Sequence, residues 1–190
     1  MQGMIEKRGS IGIICIDNPP VNAISHAVRE GLIKAVENAS KDSEIKGLVL
    51  ACRGRTFMAG ADITEFASGV KPPWLGEVID TMSESSKVIV AAIFGTTFGG
   101  GLEVALACNY RIADSNTKIG LPEVKLGIIP GAQGTQRLSR VSSVEFALKL
   151  ATLGNPVGAQ EALEAGAIDK ISNGELIDDA VSYACLLYTS

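Results

Sequence analysis

The sequence predicts an α/β fold built on a largely parallel sheet. Two observations carry that reading. Strand-like and helix-like segments alternate along the chain, and the strand segments Gly47–Ala51 and Val88–Phe94 are apolar throughout. A strand with no polar face suits a parallel sheet covered on both sides.

The elements follow in order. Ile11–Ile16 is β-branched and stops at Asp17-Asn18-Pro19-Pro20, a strand entering a turn. Ala23–Ala39 carries Ala27, Leu32, Ile33 and Val36 at helical spacing, with Ser25 placed to cap it. Gly47–Ala51 is the second strand, and Cys52–Phe57 is a basic, Gly-containing loop. Val88–Phe94 runs into a Gly-rich stretch ending at Gly101, after which Leu102–Cys108 reads as a helix. Tyr110–Ala113 and Lys118–Gly120 are short strands. Ser142-Ser143-Val144-Glu145 reads as a capping box opening a helix through Leu153, closed by Gly154. Gln160–Glu164 is a helix stopped by Gly166, before a short strand over Ala167–Lys170. No internal repeat or low-complexity linker is visible. The final Ala184–Ser190 stretch has no capping or stop signal and reads as a tail of uncertain origin.

The composition excludes several classes. The 190 residues suit one domain with a sizeable core. Hydrophobic residues at 46% and charged residues at 20% rule out a disordered chain and a coiled coil. With 21 Gly against five Phe, three Tyr and one Trp, the core is aliphatic and the backbone turns tightly. A net charge of −4 argues against a nucleic-acid partner. Mean hydropathy is positive at +0.25, yet the longest apolar run, Val88–Phe94, is far short of the roughly 18–20 residues that span a bilayer. The stretch Met1–Arg8 has no apolar core and no small-residue cleavage site, so no secretory signal is read there. Cys15, Cys52, Cys108 and Cys185 lack CxxC spacing and a nearby His, which points away from zinc and toward a reducing compartment.

Four motifs carry possible chemistry. Ala59-Gly60-Ala61-Asp62 lets a ligand approach the backbone, and its N–H groups can face a developing anion if Ile63 onward is helical. A tight loop with Asp62 as N-cap explains the same residues. Gly99-Gly100-Gly101 either exposes N–H donors at a helix start or permits close helix–strand packing. It is neither a dinucleotide fingerprint, since Val104 stands where a third Gly or Ala is needed, nor a phosphate loop. Glu103 sits among Leu102, Val104, Ala105 and Leu106, where an unpartnered carboxylate is costly; it is either an acid with a raised pKa suited to acid–base work or a first-turn Glu stabilised by the helix dipole. Glu123 follows Gly120-Leu121-Pro122. Alone it is a surface turn residue, and with Glu103 it makes a two-carboxylate site around a water. His26, the one histidine, reads as a solvated helix residue, and no metal site is expected. No serine has the partners of a Ser-His-Asp triad. Arg53 and Arg55 are either solvated loop residues or a local contact to a phosphorylated ligand.

Taken together, Phe57–Ile63, Gly99–Glu103, Gly120–Glu123 and Pro130–Leu138 resemble the enoyl-CoA hydratase/isomerase (crotonase) family in order and spacing, over about Ile11 to Ser172. The segment Asn18-Pro19-Pro20-Val21-Asn22-Ala23-Ile24 is most similar to the hydratase part of bifunctional proteins that carry a 3-hydroxyacyl-CoA dehydrogenase part downstream. The resemblance implies a crotonase-like spiral of ββα units, with residues 1–183 as the core domain, 184–190 as the tail, and C-terminal helices truncated.

It also implies a chemistry. The N–H groups of Ala59 and Gly100 would form an oxyanion hole for the thioester carbonyl, Glu103 and Glu123 would hold a water, and the Gly131 N–H would help hold it. Val21 and Ala23 would line an adenine pocket, and Ala59, Gly60, Ala61, Asp62 and Ile63 would contact the coenzyme A thioester. The implied reaction is syn hydration of a trans-2-enoyl-CoA in fatty acid β-oxidation. Δ3-Δ2-enoyl-CoA isomerisation and a non-catalytic acyl-CoA-binding module are the alternatives. No permanently bound cofactor is implied, and NAD only if a dehydrogenase part follows. The partners implied are a homotrimer or an attached dehydrogenase domain, with no nucleic acid and no membrane. The location implied is a bacterial cytoplasm, or a peroxisome in a eukaryote.

Overall fold

The structure, a computed structural model, describes residues 5–65 and 69–189. Among the described residues, the main sheet has six strands in the order β1 (Ile5–Arg8), β2 (Ile11–Ile16), β3 (Gly47–Cys52), β4 (Val88–Ile93), β6 (Tyr110–Ala113), β9 (Lys170–Ile171). Only the β1–β2 hairpin is antiparallel; every later pairing in this sheet is parallel. A second sheet orders β5 (Thr96–Phe98), β7 (Lys118–Gly120) and β8 (Val157–Gly158). The helices are α1 (His26–Lys41), α2 (Leu75–Ser83), α3 (Gly100–Ala107), α4 (Gly134–Val141), α5 (Val144–Leu153), α6 (Ala159–Glu164) and α7 (Leu176–Thr189), with a 3-10 turn over Pro122–Leu126.

The wholly apolar strands are explained by two covered faces. Alternate residues point to opposite sides of a strand. Ile14, Ile16, Leu48, Leu50, Ile89, Ala91 and Ile93 join the core that includes Val28, Leu32 and Val36 of α1. Ile11, Ile13, Val49, Ala51, Val90, Ala92 and Ile112 form a second core with Ala180 and Ala184 of α7. Each buried Val, Leu or Ile contributes roughly 1.5–3 kcal/mol over its exposed state.

The strands at 11–16, 47–51, 88–94, 110–113 and 118–120 stand where the sequence puts them, within a residue or so. Ser25 caps α1, its hydroxyl accepting from the Val28 N–H. Other expectations shift. Ser142 opens no capping box; its N–H and hydroxyl both donate to Leu138 O and close α4. Ser143 is the cap of α5, accepting from the Phe146 N–H, and Gly154 ends that helix in the left-handed region as expected. The strand expected over Ala167–Lys170 forms at Lys170–Ile171 instead. Before it, the Ala167 and Ile168 N–H groups fold back onto Ala162 O. His26 is half-buried rather than solvated, with Nε2 at 2.8 Å from Pro72 O. Residues 184–189 continue α7: Ala184 is buried, and the Tyr188 hydroxyl lies 2.7 Å from Ser10 Oγ. The helix expected from Ile63 is present at Thr64 and Glu65, and its continuation falls on 66–68, outside the described residues.

Candidate active site

The site lies where two loops leave the parallel sheet beside the start of α3. Asn22 organises the first approach. Its Nδ2 donates to Arg53 O and Thr56 O, both at 2.8 Å, which pins the loop after β3 to the turn before α1. The chain then runs through Met58, which bridges Thr97, and Ala61, which bridges Ile24. Asp62 Oδ1 accepts from the Thr64 N–H and hydroxyl, so Asp62 does cap the turn that follows.

These pairings decide which N–H groups are free. The Ala59 N–H, expected as a donor to ligand, is already used: it donates to Val21 O at 3.2 Å. The Ile24–Ala61 bridge uses Gly60 O and the Asp62 N–H. It leaves the Ala61 N–H with no protein acceptor among the described residues. Gly100 opens α3, and its N–H also has none among them, as first-turn helix donors generally lack an intrahelical partner. Both residues line one cavity.

The glycine triplet is a matter of close approach. A Cβ on Gly101 would stand 2.1 Å from Met58 O. A Cβ on Gly100 would stand 2.9 Å from Leu75 Cδ2, 3.3 Å from Ile24 Cδ1 and 3.5 Å from the Ala61 nitrogen. Packing and donor exposure, the two readings of this motif, therefore hold together.

The cavity has a volume of about 390 Å³ and contains both carboxylates. Glu103, in the first turn of α3, is 2% exposed. Its Oε1 accepts the N–H groups of Ala132 and Gly134, each at 2.8 Å. Burial raises its pKa, and those two hydrogen bonds pull it back down. Glu123, on the 3-10 turn, is 8% exposed, and its Oε2 has no hydrogen-bond partner among the described residues. Burial raises its pKa as well, opposed by a backbone hydrogen bond, and the nearby Glu103 charge adds to the rise. Two acids with unlike surroundings in one cavity can take unlike roles.

Among the expected site residues, Ala61, Asp62, Gly100, Glu103, Glu123 and Gly131 meet at this cavity. Val21, Ala23, Ala59 and Gly60 lie beside it without lining it, and Ile63 is 70% exposed. Sequence reasoning misses Ala132 and Gly134 as donors and Arg29, which is 3% exposed on α1 and faces the cavity; Trp74, Leu75 and Gly76 form a further wall. Arg29 carries a signal: a cation at helical spacing from Leu32 and Val36 is out of place on an apolar face. A second cleft of about 730 Å³ takes in Arg55 from the first loop, beside Arg8 and Asp178, which pair at 2.6 Å. Neither carboxylate of the site lines it.

The profile of the enoyl-CoA hydratase/isomerase family matches residues 6–189. A peroxisomal bifunctional enzyme of Danio rerio is 43% identical over 175 residues, covering 92% of this chain but 24% of that protein. The chain thus spans about a quarter of the length of such relatives. A probable enoyl-CoA hydratase of Bacillus subtilis is 39% identical over 183 residues, covering 92% of this chain and 71% of the relative. The solved structure of Pseudomonas aeruginosa DspI superposes with a TM-score of 0.92 at 33% identity, over 98% of this chain and 74% of that one.

Proposed function

This chain belongs to the enoyl-CoA hydratase/isomerase family, and from that premise we propose that it catalyses syn addition of water to a trans-2-enoyl-CoA in fatty acid β-oxidation. The observation that carries the reading is the pair of buried carboxylates on one cavity, one bonded by two N–H groups and one with an unpartnered oxygen.

The steps follow from that asymmetry. The thioester oxygen accepts from the Ala61 and Gly100 N–H groups, which stabilise the enolate as charge moves onto it. Water lies between the carboxylates. Charged Glu103 takes a proton from it as its oxygen bonds Cβ. Protonated Glu123 gives its proton to Cα. The cycle closes when Glu103 loses its proton and Glu123 regains one. Gly131 lines the cavity, and its N–H is proposed to help hold the water. No cofactor beyond the coenzyme A of the substrate is required. Val21 and Ala23 are proposed at the adenine end, outside the cavity.

Isomerisation is a second reading, favoured by the unpartnered Oε2 of Glu123. One such carboxylate is enough to move a proton between Cα and Cγ. Named relatives are peroxisomal and glyoxysomal multifunctional proteins, which supports a β-oxidation role and attachment to a dehydrogenase part. No helix among the described residues is long and apolar enough to cross a membrane. The test is the loss of conjugated enoyl-thioester absorbance on a trans-2-enoyl-CoA, with conversion of a 3-enoyl-CoA measured beside it. Hydration that needs both acids supports the first reading. Isomerisation that survives Glu103→Gln but not Glu123→Gln supports the second.

A further inference from the structure

The buried cation at the cavity has no part in the chemistry above, yet it bonds two segments that pack beside the two free N–H groups. Arg29 Nη1 pairs with Glu65 Oε2 at 2.9 Å and donates to Ile24 O at 3.2 Å. Its Nε donates to Pro73 O at 2.6 Å, and its Nη2 to Lys71 O at 3.0 Å. Ile24 O also accepts the Asp62 N–H at 3.4 Å, inside the bridge that aligns Ala61. Two residues beyond Pro73 is Leu75, whose side chain packs where a Gly100 Cβ would be.

From this we infer that Arg29 is a positioning residue for the oxyanion hole. One guanidinium fixes the Ile24 bridge that sets Ala61 and the 71–73 segment that seats Leu75 against Gly100. The inference rests on the proposed use of those two N–H groups. Arg suits the task because its planar fork presents five N–H donors at fixed angles, whereas a lysine has one nitrogen and cannot span three carbonyls. Glu65 supplies the counter-charge that a buried cation needs.

The readout must separate positioning from mere stability. A cinnamoyl-CoA serves as probe, since hydrogen bonding to its carbonyl oxygen moves its absorbance to longer wavelength. Folded wild type is expected to shift it. Arg29→Lys keeps the charge pair with Glu65 and is expected to fold, to bind the probe, and to give a reduced shift. Its kcat for hydration falls about 10- to 100-fold with a much smaller change in KM, the scale expected for a misplaced catalytic group. Arg29→Met gives the same result more strongly if it folds, and Arg29→Lys decides if it does not. Full shift and full kcat in folded Arg29→Lys overturn the inference, as does a wild-type chain that binds the probe without any shift. A wild-type chain that shifts the probe but hydrates no trans-2-enoyl-CoA removes the hydratase reading and leaves Arg29 in its role.

Discussion

Glu103 Oε1 accepts the Gly134 N–H at 2.8 Å, and a Cβ on Gly134 would come within 2.9 Å of that same oxygen. The carboxylate is held by a backbone that leaves no room for a side chain. Gly134→Ala is therefore expected to push Glu103 off its two N–H donors and lower kcat on the order of 10- to 100-fold. Steady-state kinetics beside a thermal melt check this, with the melt expected to move less than the rate implies.

Gly100 and Gly101 separate function from fold. Gly100→Ala would put a methyl among Leu75, Ile24 and the Ala61 nitrogen, narrowing the space for a thioester oxygen. Its kcat is expected to drop on the order of 10²–10³, the cost of one oxyanion donor. Gly101→Ala meets Met58 O at 2.1 Å and is expected to reduce soluble, folded protein first. Circular dichroism and turnover on both variants make the comparison.

The pH dependence follows from two pKa values raised mainly by burial. The proposed cycle needs Glu103 ionised and Glu123 protonated. Activity should therefore fall on the acid side as Glu103 protonates and on the alkaline side as Glu123 ionises, with both limbs above the ordinary carboxylate range. For stability the sign is the reverse of a paired acid. A carboxyl whose folded pKa is raised stabilises the fold below its unfolded pKa, and that contribution is lost as pH rises through the folded pKa. Glu123→Gln is thus expected to raise the melting temperature near neutral pH, with the gain shrinking toward pH 4, while it sharply lowers turnover. Melts across pH 4–8 read this out.

Ala184 sits at 1% exposure against the second face of the sheet. Ala184→Asp would place a charge in that core and is expected to cost about 2–4 kcal/mol. Chemical denaturation measures it, and an unchanged midpoint would show that the end of α7 is dispensable.

The legible parts are those whose signal is local. An acid inside an apolar helix turn marks Glu103, and apolar strands without a polar face give the two-sided sheet. What the sequence hides depends on pairing across the fold. Whether Ala59 or Ala61 keeps a free N–H is decided by which carbonyl of the 21–24 segment each loop position meets, and no pattern within 59–62 encodes that. The last helix is obscure for a related reason. It packs through the small residues Ala180 and Ala184, which write only a weak apolar stripe. The misplaced capping box shows the same limit at short range, since Ser142 and Ser143 are equal candidates until α4 claims the first.

The most direct test measures loss of enoyl absorbance with a trans-2-enoyl-CoA for wild type, Glu103→Gln and Glu123→Gln, each shown to be folded. Two acids in unlike roles predict turnover by wild type and a drop of roughly 10²–10⁴ in each variant. Full rates in both variants, or a folded wild type that leaves the absorbance unchanged, would contradict it.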